Sequence, residues 1–137
     1  MHNVFTYGSL MFDRVWSRLV NGHYTAIPAT LHGYQRLAVK DEEYPVAVAE
    51  PTATITGMLY LNISPDDIAR LDKFEGDYYT RLPTPVITIK GVIYPAETYI
   101  LKPAYQHIAT VNTWDEEFFR THGIEQFIAR YQGFTKP

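Results

Sequence analysis

TITGMLYLNI, residues 54–63, has a two-residue period in its side chains. Ile55, Leu59, Leu61 and Ile63 fall on one face of an extended chain, and the residues between them, mostly threonine, tyrosine and asparagine, fall on the other. This alternation predicts a β-strand with one buried face. The β pattern covers residues 26–63, where glycines and prolines mark turns, bends or bulges: Gly33, Pro45, Pro51 and Gly57.

Strand patterns also occur before and after this region. Val4-Phe5-Thr6-Tyr7 predicts a short buried strand, and further strands are predicted at about residues 80–90 and 92–101, joined by a turn at Lys90-Gly91. Many consecutive strands with short connections indicate an antiparallel sheet that curls or closes. The predicted fold class is therefore α+β, with a small curled or closed, mostly antiparallel β-barrel and flanking helices.

Helical patterns flank the strands. Apolar residues at helical spacing over residues 12–20 predict a first helix between the first strand and the long β region. A second helix is predicted to start at Ser64, because a serine cap is followed by Pro65 at the first helical position and then by two aspartates. This second helix is predicted to run to Gly76.

The C-terminal part has its own helix signal. Thr113-Trp114-Asp115-Glu116 is a capping-box pattern that predicts a helix start. We interpret residues 1–137 as a single domain in which residues 113–134 form a helical C-terminal extension. The tail from Gly133 onward is expected to be loose.

Composition excludes several classes of function. The 137 residues carry a formal net charge of −3 without a basic cluster, so we predict neither a nucleic-acid nor a membrane partner. The absence of cysteine excludes disulfides, thiolate metal sites and a cysteine nucleophile. The histidines have no metal-binding spacing, and we predict no metal and no redox cofactor. Without a signal peptide or membrane-span pattern, the expected location is the cytoplasm.

Glu75 is the first candidate for a catalytic group. On a helix beginning at Pro65, successive residues step by about 100°, so Ile68, Leu71, Asp72 and Glu75 share one face, and the two apolar residues define it as buried. Burial and the negative C-terminal end of the helix both favour a protonated carboxyl, which raises its pKa toward the range useful for proton transfer. The alternative is that the helix ends by Asp72 and leaves Glu75 solvated.

Tyr7-Gly8-Ser9-Leu10 is the second candidate, because it lies between a predicted strand and a predicted helix. A glycine lets the backbone turn tightly, and amides that point outward at a helix N-terminus bind anions such as carboxylates. The segment lacks the G-x-S-x-G and P-loop patterns, so Ser9 is a poor candidate for a nucleophile. Most turns of this kind are simply turns, and that interpretation stays open.

Several segments together resemble γ-glutamylcyclotransferase-like proteins, in the order in which that family has them. They are Val4–Leu10 with its Y-G-S-L loop, Leu31–Arg36, Tyr44–Ala47, Thr56–Tyr60, and Leu71–Gly76 followed by Tyr79–Arg81. In the C-terminal part, Trp114–Phe119 and Phe127–Phe134 look like the extension of the plant avirulence-induced-protein branch and its bacterial relatives.

The resemblance implies a small β-barrel with a cavity at one end and a cofactor-free reaction. In that reaction the α-amine of a small-molecule γ-glutamyl derivative attacks its own γ-carbonyl, which releases 5-oxoproline and an amine. Glu75 matches the family's catalytic glutamate, and Tyr7, Gly8, Ser9 and Leu10 match its substrate-binding loop. Tyr79 and Arg81 either shape and charge-balance the cavity or are ordinary strand residues on its wall.

The alternative function is a non-catalytic module on the same fold that binds a small anionic metabolite, since a fold does not by itself determine function. The two hypotheses differ in whether γ-glutamyl amides yield 5-oxoproline. No feature of the sequence indicates which amine leaves or what the oligomeric state is.

Overall fold

The computed structural model describes residues 2–130. The prediction of a loose tail from Gly133 and the last part of the predicted C-terminal extension lie outside the described residues. The eight strands, in chain order, are β1 (His2–Thr6), β2 (Ala26–Val39), β3 (Pro45–Ile63), β4 (Tyr79–Pro83), β5 (Val86–Thr88), β6 (Ile93–Tyr94), β7 (Glu97–Leu101) and β8 (Ala109–Thr113).

The strands form one curled sheet in the order β4-β7-β1-β3-β2-β5-β6, and β8 pairs with β2 beside this path. Within residues 2–130 every strand pair is antiparallel except β1 with β7, which is parallel. The predicted fold class, an α+β protein with a curled and mostly antiparallel sheet, is confirmed.

β2 and β3 are the longest strands and form a hairpin in the middle of the sheet. Its register runs from Ala26 opposite Tyr60 to Ala38 opposite Pro45, with an irregularity between His32 and Tyr34. Gly33 lies at this point with a φ of 90°, a backbone conformation that glycine adopts without strain. Gly33 therefore marks a bulge, as its position in the strand pattern predicted.

The predicted extents of the strands at residues 80–90 and 92–101 are wrong. Each of these two regions contains two short strands in place of one long strand. Pro83 and Pro85 flank Thr84 between β4 and β5, and Pro95 stands between β6 and β7. A proline has no N–H group to donate to a neighbouring strand, so the ladder breaks at these residues. The turn predicted at Lys90-Gly91 is present, with Gly91 at a φ of 81°.

The helices are α1 (Asp13–Leu19), α2 (Pro65–Glu75), α3 (Glu116–Phe118) and α4 (Ile124–Arg130), and a wider π-helical turn at Phe119–Gly123 joins the last two. Ser64 caps α2, since its side chain accepts a hydrogen bond from the Asp67 N–H, as predicted. None of the helices in the described part of the chain is both long and apolar enough to cross a membrane.

The helix start predicted at Thr113 is wrong. Thr113 belongs to β8, where it pairs with Leu37, so it is not available to cap a helix. Asp115 takes that role, because its side chain accepts a hydrogen bond from the Phe118 N–H. The strand β8 itself had no clear period in the sequence and was not predicted.

The hydrophobic core lies on both faces of β1. Successive strand residues point to opposite faces; accordingly Val4 packs in the cluster shared with the helices, whereas Phe5 packs in the cluster with Leu31 and Leu59 from the β2–β3 hairpin. Residues from α1, α2 and α4 all enter the first cluster. The end of β1 is therefore held between the two clusters. The assignment of the whole chain to a single domain stays a prediction.

Candidate active site

A cavity of about 490 Å³ opens beside the end of β1. Its wall combines the segment after β1, the start of β3, the end of α2 with the turn that follows, and three aromatic residues from more distant parts of the chain. These residues are Phe5–Leu10, Tyr44, Pro45, Phe74–Tyr79, Tyr99, Tyr105 and Phe127. Both parts of the predicted site, Glu75 and Tyr7–Leu10, thus line one cavity.

Glu75 is the last residue of α2, and Gly76 ends the helix with a φ of 76°. The helix does not stop at Asp72, as the alternative interpretation required. Glu75 is half-buried, because its carboxyl is reached through the cavity and is otherwise surrounded by protein. Burial, and secondly the negative charge of Asp72, raise the pKa of Glu75 to about 8.

Asp72 lies one turn before Glu75 and is fixed by two partners. Tyr99 Oη donates a hydrogen bond of 2.7 Å to Asp72 Oδ1, and Arg81 donates from Nε and Nη2 to the two carboxylate oxygens at 2.9 and 3.2 Å. Despite partial burial, these hydrogen bonds and the charge of Arg81 hold the pKa of Asp72 below its usual value. Asp72 therefore remains an anion beside Glu75.

The two additional candidates have different positions. Tyr79 lines the cavity, and its hydroxyl donates to the Pro45 carbonyl at 2.9 Å. Arg81 is not among the cavity-lining residues; besides Asp72 it contacts Glu97, with Nη1 2.8 Å from Oε2. Arg81 thus acts on the site through Asp72 and not by direct contact with a ligand.

Tyr7 is held firmly in the wall. Its hydroxyl donates to the Tyr99 carbonyl at 2.5 Å, and its own carbonyl accepts from Arg36 Nη1 at 2.9 Å. Burial, and secondly the charge of Glu75, keep the pKa of the Tyr7 phenol well above its ordinary value. These hydrogen bonds fix the position of Tyr7 at the start of the loop.

The loop differs in one respect from the prediction. The loop continues into a 3₁₀ turn at Ser9–Met11, and the extended residue Phe12 separates this turn from α1. The amides of the loop therefore do not begin α1. Among residues 2–130, no protein group accepts a hydrogen bond from the main-chain N–H groups of Gly8, Ser9 and Leu10. These amides therefore act as a loop with free donors, without the contribution of a helix dipole.

Gly8 is required here by its neighbour and not by an unusual φ. Its φ is −133°, which other residues adopt, but a Cβ atom at this position would lie 2.7 Å from Cδ and 2.8 Å from Cγ of Pro45. Contacts this short do not occur between carbon atoms that are not bonded. The turn depends on glycine, as expected from the sequence, but the physical reason is the close approach of Pro45.

Three residues that position the site were not proposed as functional from the sequence: Arg36, Asp72 and Tyr99. Arg36 and Tyr99 act across strands that are far apart in sequence, so spacing gave no signal for them. Asp72 did give a signal, since it shares the helix face with Glu75. In the described part of the chain no group of three or more histidine or acidic side chains is arranged to hold a metal ion.

The arrangement brings a weakly acidic carboxyl and a loop with free N–H donors into the wall of one cavity. The donors suit a carboxylate or a developing oxyanion. The carboxyl, with a pKa of about 8, can accept and return a proton near neutral pH. The site can therefore bind a small molecule at an oxygen and transfer a proton at another of its atoms.

Known proteins are similar to this chain in sequence and in fold. Protein AIG2 C of Arabidopsis thaliana is similar to this chain, with 27% identity over 132 residues that cover 96% of this chain and 79% of that protein. A solution structure of another Arabidopsis thaliana protein has 25% identity and a TM-score of 0.72, covering 93% of this chain and 86% of that one. A solved gamma-glutamyl cyclotransferase has a TM-score of 0.63 at 16% identity, covering 74% of this chain and 66% of that one, which shows a shared fold alone.

The profile of one protein family matches most of the sequence. The match covers residues 4–116 and so includes the loop after β1, the helix that ends at Glu75, and β7 with Tyr99. The chain belongs to the family described as gamma-glutamyl cyclotransferase, AIG2-like.

Proposed function

We propose that this protein is a cofactor-free γ-glutamyl cyclotransferase that converts a γ-glutamyl derivative to 5-oxoproline and a free amine. One observation carries the proposal: Glu75, with its pKa raised to about 8, lines the same cavity as residues Gly8, Ser9 and Leu10. Membership of the cyclotransferase-like family supports the same reaction class.

In the proposed complex the amides of Gly8, Ser9 and Leu10 hold the α-carboxylate of the substrate or its γ-carbonyl oxygen. Either role suits main-chain N–H groups that have no partner in the described protein. The cavity holds the glutamyl chain bent, so that its α-amine lies beside its own γ-carbonyl carbon. A reaction within one molecule then proceeds with a high effective concentration of the amine.

Glu75 moves the proton. The carboxylate accepts a proton from the α-amine as the nitrogen attacks the γ-carbonyl carbon and a ring C–N bond forms. The resulting carboxylic acid donates that proton to the leaving nitrogen as the bond from that nitrogen to the γ-carbon breaks. Protons and electrons balance without an oxidant, a reductant or water. With a pKa of about 8, about a tenth of Glu75 is ionised at pH 7 in the free protein.

The test is the release of 5-oxoproline from γ-glutamyl amides by the wild-type protein and by Glu75→Gln. The glutamine keeps the shape of the side chain and removes proton transfer, so turnover should fall by about 10²–10⁴-fold. Glu117→Gln is the matched control, since Glu117 is 71% exposed and outside the cavity, and its turnover should equal that of the wild type. Binding of γ-glutamyl amides without any 5-oxoproline would instead favour a non-catalytic binding module.

A further inference from the structure

The peptide unit between Tyr7 and Gly8 is held from one side by an arginine. Arg36 Nη1 donates a hydrogen bond of 2.9 Å to the Tyr7 carbonyl. This peptide bond is trans, so its carbonyl and the Gly8 N–H point in opposite directions. By fixing the carbonyl, Arg36 therefore also sets the direction of the Gly8 N–H, which points away from the guanidinium.

Gly8 leaves this peptide unit with little constraint of its own. Pro45 excludes a Cβ atom at Gly8, and a residue without Cβ adopts positive and negative φ with similar ease. Rotation of the unit by half a turn changes only ψ of Tyr7 and φ of Gly8. Such a rotation would present a carbonyl oxygen where the N–H had been, and an anion would be repelled in place of being bound.

Arg36 is itself fixed by the C-terminal part of the chain. Its guanidinium carbon lies 5.1 Å from the centroid of the Trp114 ring, and Nη1 is 3.4 Å from Glu116 Oε1. Trp114 is buried, and its Nε1 donates to the Glu43 carbonyl at 2.7 Å. The Arg36 side chain is 18% exposed and is not among the cavity-lining residues. Its effect on a ligand in the cavity is therefore exerted through the peptide unit that it holds.

We propose that Arg36 is a positioning residue for the substrate-binding loop, which turns the Gly8 N–H toward the ligand while Trp114 and Glu116 hold the guanidinium. This inference rests on the proposed function, because it takes the loop as the binding site of the glutamyl carboxylate or carbonyl oxygen. It gives the segment after β8 a part in ligand binding, although within the described residues that segment contributes only Phe127 to the cavity wall.

Nuclear magnetic resonance can observe this one peptide unit. Tyrosine followed by glycine occurs once in the sequence, at Tyr7-Gly8, so labelling tyrosine carbonyl carbon and glycine nitrogen gives a single signal that correlates the two. In the wild type we expect one sharp signal, whose proton moves downfield when 5-oxoproline is added, because the N–H then donates to an anion. In Arg36→Met the signal should broaden or split, and the downfield movement should be lost.

Calorimetry with 5-oxoproline gives the matching affinities. Arg36→Met should weaken binding about tenfold or more, the effect of losing one hydrogen bond to a charged group. Arg36→Lys should bind within about threefold of the wild type, because the single nitrogen Nη1 makes the contacts to both Tyr7 and Glu116, and an ammonium can replace it. Arg14→Met is the matched control, since Arg14 is 52% exposed, pairs with Glu125 and lies outside the cavity, and its affinity should equal that of the wild type.

Thermal melts verify that each variant is folded. If Arg36→Met keeps the wild-type affinity, or one sharp signal that still moves downfield with 5-oxoproline, the inference is wrong and the cyclotransferase proposal stands. If Arg36→Met does not fold, the wild type decides, because a Gly8 proton that stays in place at saturation with 5-oxoproline overturns the inference and a downfield movement supports it.

Failure of the proposed function is a separate outcome. If no γ-glutamyl amide releases 5-oxoproline, the cyclotransferase proposal is wrong, and the signal of the ligand-free protein decides the role of Arg36. Broadening or splitting in Arg36→Met then supports a positioning role, and one sharp signal overturns it.

Discussion

Glu75 combines burial with access to a ligand, and this combination gives its carboxyl an unusual dependence on pH. The side chain is surrounded by protein, and the negative charge of Asp72 lies one turn away, so the protonated form is favoured up to a pKa of about 8. In the unfolded chain the same carboxyl has an ordinary pKa near 4.5. Between these two pKa values the folded protein therefore keeps Glu75 protonated, whereas the unfolded chain releases this proton.

The first prediction concerns stability. Between about pH 4.5 and 8 the unfolded chain binds fewer protons at Glu75 than the folded protein does, so the free energy of unfolding falls as the pH rises. The slope for one proton is at most about 1.4 kcal/mol per pH unit. Glu75→Gln cannot ionise and should not lose this stability.

Urea denaturation of both proteins across this pH range measures the effect. The stability of the wild type relative to Glu75→Gln should decline steadily with increasing pH and level off below about pH 4.5, where the carboxyl is protonated in both states. A difference that is independent of pH would mean that Glu75 titrates normally in the folded protein.

The second prediction concerns Asp72→Asn. Removing this negative charge should lower the pKa of Glu75 but leave it above its ordinary value, because burial is the larger cause of the shift. The pH profile of 5-oxoproline release should therefore move its acidic limb to lower pH by a fraction of a unit. Asp66→Asn, outside the cavity on the same helix, should leave the limb in place. A shift to higher pH would contradict the arrangement of Asp72, Arg81 and Tyr99.

At the scale of elements, the loop after β1 lies close against Pro45 at the start of β3. The third prediction separates its backbone from its side chains. In Gly8→Ala a single methyl group would lie 2.7 Å from Pro45 Cδ, so the loop must move, and affinity for 5-oxoproline should fall about tenfold or more. Ser9→Ala keeps the amide and should change affinity by less than about threefold.

Calorimetry measures these affinities, and thermal melts verify that both variants are folded. Loss of turnover in Ser9→Ala together with normal behaviour of Gly8→Ala would exclude a cradle of main-chain amides. Such a result would require a role for the Ser9 hydroxyl.

The elements also show what sequence reasoning can reach. Ser64 with Pro65, and the period of residues 54–63, are local signals, and the structure confirms the helix start and the strand. The prediction of one buried face is wrong at the end of the strand, because Tyr60 is also buried and Ile63 packs with Tyr60, in a different cluster from Ile55 and Leu59. The ends of strands depend on which N–H groups meet a partner, so Pro83, Pro85 and Pro95 divided strands that hydrophobicity alone had joined. β8 exists because of its pairing with β2, which its own residues do not encode.

The candidate site follows the same division. Glu75 could be found from helical spacing, and the Gly8 loop from its place after a strand. Arg36 and Tyr99 could not, because their roles depend on partners that only the folded sheet brings near: the Tyr7 carbonyl for Arg36 and Asp72 for Tyr99. Local patterns therefore indicate the reacting group, whereas the groups that position it require the tertiary structure.

At the scale of the whole molecule, the C-terminal helical segment closes both the core and the cavity. Phe127 is 1% exposed, packs edge-on against Phe74 and Phe119 with ring centroids 6.0 and 5.7 Å away, and lines the cavity. The fourth prediction is that Phe127→Ala reduces the free energy of unfolding by about 3–5 kcal/mol, because it leaves a void at this junction.

Phe118→Ala is the matched control, since Phe118 belongs to the same helical segment but is 56% exposed. Its effect should be within about 0.5 kcal/mol. Urea denaturation of the two variants provides the comparison. If Phe127→Ala reduces the free energy of unfolding as little as Phe118→Ala is expected to, α4 contributes little to the core. Phe127→Ala should also weaken the binding of γ-glutamyl amides, because one wall of the cavity is removed.

The parallel pairing of β1 with β7 has a consequence for biosynthesis. Val4 lies beside Glu97 and Phe5 beside Thr98, so this contact joins segments more than ninety positions apart. During translation β1 leaves the ribosome before β7, so its second edge is not covered until β7 follows. The nascent chain thus carries an apolar strand with an open edge, exposed to chaperones and to aggregation, until β7 has been made.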